Sequence, residues 1–294
     1  MARICLLLLM PTWSSGESAA SAPPSRIVTI APNSAEIICA LGACDSIVGV
    51  DKFSLYPPEL KSRPRVGGLF DPDLEKIVSL NPDLVVIRGR NDTLERLCGT
   101  LGIALYHDRT ESLADVPTCI TELGRVLGRE DRAKELVREF QSRIEAVRSR
   151  VAERPRPRVL VTVSRQPGSF LHTLTTGKGV FITETIDLAG GVNVFRNLDM
   201  GYPQVSPEGM VATRPEVIIE FMPEVELTDA LRERVVAEWR NLGSLPAVEK
   251  GRIHILSDDH CLIPSPRYVE IIEKVSRLVH PELDVERSRP AASE

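Results

Sequence analysis

A repeated segment constrains the fold of this chain more than any other feature. Residues 73–86, DLEKIVSLNPDLVV, correspond to residues 206–219, SPEGMVATRPEVII, with every equivalent pair 133 positions apart. Each copy opens with a residue that caps helices, has a glutamate two positions later, and ends in proline, an acid and a run of Val, Ile and Leu. This order predicts a short helix followed by a buried parallel strand, once in each of two similar lobes.

A long amphipathic segment, Arg129–Glu153, lies between the two copies. Its apolar residues recur at the three-and-four spacing of one helical face, and charged residues fill the remaining positions. At about 1.5 Å per residue, a helix of this length extends roughly 37 Å, which is the width of a small domain. We therefore predict an α/β fold in which two similar parallel-sheet lobes are joined by one long α-helix, with a ligand cleft between the lobes.

The predicted organisation has five parts. They are a signal peptide and leader (1–25), an N-terminal α/β lobe (26–128), the linking helix (129–155), a C-terminal α/β lobe (156–283) and a disordered tail (284–294). Arg3 followed by the apolar run Ile4–Met10 and then small residues is typical of a short secretory signal, and a frayed cytosolic leader is the alternative. We expect an exported, periplasmic protein. Within the first lobe, Asn33 or Ser34 is expected to cap a helix over Ala35–Leu41.

The composition and the number of cysteines limit the functions and the disulfides that this chain can have. The net charge of −5 and pI near 5.7 argue against nucleic acid as a partner. Beyond the predicted signal, five cysteines remain, an odd number, so at least one is unpaired or pairs between chains. They are Cys39, Cys44, Cys98, Cys119 and Cys261. No C-x-x-C pattern occurs, and we expect most of them to be small core residues.

Several short motifs, taken in order, resemble the helical-backbone class of periplasmic solute-binding proteins, which serve ATP-driven importers of cobalamin, ferric siderophores and haem. The motifs are residues 26–32 (RIVTIAP), 40–43 (ALGA), 56–59 (YPPE), 73–77 (DLEKI), 81–85 (NPDLV) and 190–195 (GGVNVF). The resemblance covers residues 26 to about 283. Residues 202–208, YPQVSPE, most resemble the cobalamin receptors. Those receptors often place tryptophans in the cleft, whereas the matching positions here are Leu69 or Phe70 and Arg88.

The resemblance implies a binding protein without catalytic activity that delivers a small metal-bearing ligand to a membrane permease dimer. We expect a monomer with no resident cofactor and no metal ligands of its own. In this class, glutamates at the positions of Glu75 and Glu208 contact arginines of the permease. The simpler interpretation is that each acid stabilises the first turn of its helix, although that does not explain why both lobes have one.

The cleft is expected at the carboxyl ends of the strands, where loops of the two lobes meet. The candidate ligand-binding residues are Asn33, Ser34, Tyr56, Phe70, Arg88, Arg165, Phe170, Tyr202, Asp258 and His260, with Arg90 nearby. The aromatic rings suit a flat macrocycle, and the arginines suit a carboxylate, phosphate or catecholate. Each aromatic residue could equally be a packing residue, and each arginine an ordinary surface charge. A cobalamin-type corrinoid is the expected ligand, with a ferric siderophore or haem as the alternative.

Two further functions are weaker. A receptor for bare Zn or Mn could use His107, His172 and His260, but the chain has no His-x-x-x-His pair or His-rich loop. For an exported enzyme, residues 175–179, TTGKG, resemble a phosphate loop, but Gly179 replaces the required Ser or Thr.

Overall fold

The computed structural model of the protein describes residues 22–165, 168–223 and 225–283. The first lobe contains β1 (Ile27–Ile30), α1 (Pro32–Ala40), β2 (Ile47–Val50), α2 (Leu74–Ser79), β3 (Leu84–Arg88), α3 (Asp92–Leu101), β4 (Ala104–Asp108) and α4 (Asp115–Val126). Helix α5 (Glu130–Val151) follows it. The second lobe contains β5 (Arg158–Thr162), β6 (Thr173–Leu174), α6 (Phe181–Leu188), β7 (Val192–Asn193), β8 (Gln204–Val205), α7 (Pro207–Ala212), β9 (Val217–Phe221), α8 (Asp229–Leu242), α9 (Pro246–Glu249), β10 (Ile253–Leu256) and α10 (Val269–Val279).

The two main sheets share one strand order. The first runs β2-β1-β3-β4 and the second runs β7-β5-β9-β10, and every pairing in both is parallel. Each strand of the first sheet therefore has a counterpart in the second, with β3 and β9 carrying the repeated sequence. The predicted fold class, two similar parallel-sheet lobes, is confirmed.

The repeated segments form the same local structure in both lobes. The carboxylate of Asp73 accepts a hydrogen bond from the Lys76 backbone N–H at 2.9 Å, and the Ser206 hydroxyl accepts one from Gly209 at 3.1 Å. These bonds satisfy amides that the first turn of a helix leaves unpaired. The strands that follow, β3 and β9, are buried along almost their whole length.

Helix α5 contributes to the cores of both lobes. Ala133, Leu136 and Phe140, in its first half, pack into the core beside α1 and α4. Val147, in its second half, packs into the core beside α6 and α10, and Ile144 contacts both cores. The periodic stripe predicted this helix to within two residues at each end, because α5 spans Glu130–Val151.

Direct contacts also join the lobes. The Arg267 guanidinium, in a 3-10 turn before α10, donates to both carboxylate oxygens of Glu36 on α1, at 2.7 and 2.8 Å. The Leu113 backbone N–H donates to the Glu184 carboxylate on α6 at 2.7 Å.

Some local predictions were wrong or incomplete. Neither Asn33 nor Ser34 caps α1, because the helix starts at Pro32 after an extended Ala31, and both side chains are buried inside its first turn. The antiparallel pair of β6 and β8 was not predicted, since two-residue strands carry no periodic signal.

As expected from the odd number of cysteines beyond the predicted signal, at least one cysteine is unpaired. Cys39 and Cys44 form a disulfide at the end of α1, while Cys98, Cys119 and Cys261 are buried free thiols. The predicted signal peptide falls largely on residues 1–21 and the predicted tail on residues 284–294, which lie outside the described residues. Within the described part, no helix is both long and apolar enough to cross a membrane.

Candidate ligand-binding cleft

A cleft of about 1000 Å³ opens at the carboxyl edge of the first sheet. Strands β3 and β4 are neighbours here, and Arg88 pairs with Asp108 in their parallel register. The cleft is lined by Leu69, Arg88, Gly89, Arg90, Glu95, His107, Asp108, Arg109, Glu111 and Asp115. This is where the carboxyl ends of parallel strands leave room for a ligand. The lining comes from the first lobe alone, whereas the predicted cleft had loops from both lobes.

The floor of the cleft is a buried carboxylate. Asp108 accepts hydrogen bonds from the Asn33 amide and the Ser34 hydroxyl, both at 2.6 Å, and from the Thr110 backbone N–H at 2.8 Å. Asn33 and Ser34 are themselves almost fully buried, so the prediction that they face the ligand was wrong. Their role is to hold Asp108 toward α1.

Four basic side chains line the wall above this floor, and we call them the cationic edge: Arg88, Arg90, His107 and Arg109. Among the described residues, Arg88 and Arg109 make no hydrogen bond or ion pair. Arg90 is exposed, and its guanidinium nitrogens lie 3.5 Å from the Asp92 carboxylate and 3.9 Å from the Glu95 carboxylate. The donors of these guanidinium groups are therefore largely free to bind a ligand.

Tyr202, in the second lobe, is near enough to the cationic edge to feel the charge of Arg88. The pKa of the Tyr202 phenol is raised because burial outweighs the opposing effect of the positive charge of Arg88. The Tyr202 side chain remains 44 % exposed, so its ring is available for contact.

Two more of the predicted aromatic residues are accessible. Tyr56 is 42 % exposed, and the Arg267 guanidinium lies over its ring, 3.9 Å from the centroid. Phe70 is 94 % exposed and directly follows Leu69, which lines the cleft. Because almost none of the Phe70 ring is packed against the rest of the protein, the ring is available to contact a ligand or a partner.

Arg165 and Phe170 do not face the cleft, and their assignment as ligand contacts was wrong. The Arg165 side chain is buried and binds Glu238 at 2.6 Å and Glu220 at 3.0 Å. The Phe170 ring packs edge-on against Trp239, with 4.7 Å between centroids. Trp239 also donates its indole N–H to Glu220. A charge that is already paired and buried has no donors left for a ligand.

Asp258 and His260 also serve other contacts. Asp258 accepts from Lys274 at 2.7 Å, and His260 is buried with its Nδ1 2.9 Å from the Asp259 carboxylate. Asp259 in turn pairs with Arg267, the residue that links the lobes. Asp259 and His260 thus support the junction between the lobes, while Asp258 pairs within the second lobe. The prediction that Asp258 and His260 bind ligand is not supported.

Glu75 and Glu208 occupy equivalent positions in the first turns of α2 and α7, and both are exposed. Neither makes a hydrogen bond or ion pair within the described part of the chain. Each helix leads into the amino end of the next strand, so its own first turn lies toward the carboxyl edge of the sheet. Both acids are thus exposed on the cleft side of their lobes.

The three histidines considered for a bare metal ion are not brought together. His107 lines the cleft, His172 contacts Gln204 at 3.1 Å in a separate groove, and His260 is buried. Across the described residues, no three His, Cys, Asp or Glu side chains are grouped to hold a metal ion.

Arg109 was missed by the sequence reasoning. It directly follows the carboxyl end of β4, as Gly89 follows that of β3. The rule that selected Arg88, a basic residue at the end of an apolar strand, selects Arg109 as well, because β4 ends at Asp108.

Comparison with known proteins agrees with this architecture. Residues 27–260 match the periplasmic binding protein family. The chain belongs to that family. It is a family of binding proteins, and its members work with a membrane permease in ATP-driven import.

Relatives in this family cover the chain almost completely. A vitamin B12-binding protein of Vibrio parahaemolyticus is 28% identical over 277 residues, which are 94% of this chain and 96% of the relative. The crystal structure of the periplasmic vitamin B12 binding protein of Vibrio cholerae has a TM-score of 0.74 at 26% identity, covering 91% of this chain and 99% of that one. A periplasmic haem binding protein from Pseudomonas aeruginosa has a TM-score of 0.77 at 25% identity, covering 88% and 93%.

Proposed function

We propose that this protein is the substrate-binding component of an ATP-driven importer that captures a cobalamin-type corrinoid and delivers it to the membrane permease. The observation that carries the proposal is the similarity to vitamin B12-binding proteins over nearly the whole chain. The chain would bind and release its ligand unchanged, as a monomer in the periplasm.

The cleft supports a large ligand. Pockets for drug-sized molecules have volumes of about 300–1000 Å³, and this cleft reaches the upper end of that range on the first lobe alone. Tyr202 and Tyr56 are half-exposed, and Phe70 is fully exposed, so each offers an apolar ring.

Haem or a ferric siderophore is the second candidate. No tryptophan lines the cleft within the described residues, and Arg88, Arg90 and Arg109 are suited to the carboxylates of haem or the oxygens of a siderophore. Structural similarity to a haem binding protein is as high as to a vitamin B12 binding protein.

Titration calorimetry distinguishes these ligands. Purified protein would be titrated with cyanocobalamin, haemin, a panel of ferric siderophores and Zn²⁺, and we expect the tightest binding with cyanocobalamin. Tight binding of haemin or a siderophore without corrinoid binding would transfer the assignment to the second candidate. Binding of Zn²⁺ alone would contradict both.

Delivery to the permease is proposed to use Glu75 and Glu208. Both are exposed on the cleft side of their lobes and have free carboxylates, so each lobe offers one anionic contact in an equivalent place. Two matching acids suit a permease made of two matching subunits.

A further inference from the structure

Within the proposed function, we infer that the cationic edge of the first lobe binds an anionic group of the ligand. In a corrinoid this group is the phosphodiester of the nucleotide loop, so the cleft would distinguish complete corrinoids from those that lack the loop. The inference deepens the proposed function and rests on it.

The first step is geometric. Arg88 ends β3 and Arg109 follows the end of β4, and these strands are adjacent and in register. Neighbouring strands are about 4.8 Å apart, so two guanidinium groups rooted at these ends can reach the same anion. His107 lies beside them, with its Nδ1 3.3 Å from the Gly89 carbonyl oxygen.

The second step concerns the nearby carboxylates, which are occupied by other donors. Asp108 accepts three hydrogen bonds from the chain and is turned toward α1. Asp115 accepts from Ser112 and from the Glu111 backbone N–H, and Glu95 accepts from the Asn91 backbone N–H. Only Glu111, which is exposed, has an unoccupied carboxylate among those that line the cleft.

The third step is the contrast with the other candidate arginine. Arg165 has its donors bound by Glu220 and Glu238 inside the second lobe. Arg88 and Arg109 make no such bonds in the described chain. Guanidinium groups bind phosphate and carboxylate oxygens through paired hydrogen bonds, and such bonds strengthen in a cleft that excludes water.

The test compares two corrinoids and two variants. Cyanocobalamin carries the nucleotide loop with its phosphodiester, whereas cobinamide lacks it. The variants are R88Q/R109Q, which removes both free guanidinium groups, and R96A, which removes an exposed arginine of α3 that does not line the cleft. Affinities would be measured by titration calorimetry at low and high salt, and circular dichroism would confirm that each variant is folded.

We expect the unaltered protein to prefer cyanocobalamin over cobinamide by about tenfold or more, since a hydrogen bond to a charged group changes affinity by that order. R88Q/R109Q should lose most of this preference while R96A keeps it, and added salt should reduce the preference in the unaltered protein. If R88Q/R109Q weakens both corrinoids equally or neither, the inference is wrong, and corrinoid binding itself still supports the proposed function.

If no corrinoid binds, the proposed function fails, and haem supplies a separate test of the cationic edge. Haemin has two propionate carboxylates, and its dimethyl ester has none. A preference for haemin that disappears in R88Q/R109Q would support anion binding by the cationic edge with a different ligand. Equal binding of haemin and its ester would overturn it.

Discussion

At the scale of single residues, the chain uses its arginines in two different ways. Arg165 is buried and paired with two glutamates, whereas Arg90 is exposed and only loosely paired. Removing one member of a buried ion pair leaves the other charge desolvated without compensation, whereas an exposed pair contributes little.

This contrast predicts different effects on stability. R165A should lower the free energy of unfolding by about 3–5 kcal/mol, because Glu220 would lose its charged partner inside the second lobe. R90A should change it by less than about 1 kcal/mol. Urea denaturation of both variants measures the two values, and equal effects would contradict the assignment of Arg165 as a structural residue.

His254 gives a pH dependence with a definite sign. Burial, with a further effect of Arg252, lowers its pKa from 6.5 to about 4. The unfolded chain therefore binds a proton at this residue near pH 6.5, while the folded chain binds it only near pH 4. The contribution of neutral His254 to stability is fully present above pH 6.5 and is lost as the pH falls from 6.5 to 4.

The expected loss from His254 is up to about 3 kcal/mol over that window. H254Q cannot be protonated, so its stability should fall less between pH 6.5 and pH 4 than that of the unaltered protein. H172Q, at an exposed position, is the matched control. Chemical denaturation at a series of pH values gives the slopes, and identical slopes for the unaltered protein and H254Q would contradict the prediction.

At the scale of elements, α2 and α7 form a pair related by the internal repeat. Changing Glu75 and Glu208 together to alanine should cost no more than about 1–2 kcal/mol, because exposed first-turn acids stabilise a helix only weakly. Ligand affinity should be nearly unchanged. Binding to the reconstituted transporter should weaken sharply. Added salt should weaken transporter binding by the unaltered protein in the same way.

The control for this double variant is a pair of acids elsewhere on the surface. Glu135 and Glu233 are both exposed helical residues outside the repeated segments, so E135A/E233A changes the net charge equally. If E75A/E208A binds the transporter normally but loses its ligand, the docking assignment is wrong.

The elements themselves were largely predictable because their signals are local. The stripe of α5, the caps Asp73 and Ser206, and the apolar run of β3 each specify a structure through neighbouring residues. Asn33 and Ser34 were misassigned as caps because the pattern cannot show that Asp108, 75 positions away from Asn33, binds their side chains.

The cleft was harder to predict than the fold for the same reason. Position at the end of a strand selected Arg88, which lines the cleft, but it also selected Arg165, which lies three positions after the end of β5. What separates the two is the presence of Glu220 and Glu238, which lie 55 and 73 positions along the chain from Arg165. Which charged residues pair over such separations depends on the fold, and the sequence around Arg165 does not reveal it.

At the scale of the whole molecule, the arrangement of the two lobes depends on the elements that connect them. One rigid helix and the link from Arg267 to Glu36 join them, so we expect small hinge motions and no wide closure. Solution X-ray scattering with and without saturating ligand should therefore give nearly equal radii of gyration. A marked compaction on binding would contradict this view of the junction.

Helix α5 has a consequence for how the molecule comes apart. Phe140 belongs to one core and Val147 to the other, seven positions later on the same continuous helix. If either lobe unfolded, half of α5 would lose its packing partners. The helix would then be less able to cover the apolar core of the lobe that remained folded. The two lobes should therefore denature as one cooperative unit, with equal calorimetric and van't Hoff enthalpies, and a scan that resolved two separate transitions would show that each lobe is stable alone.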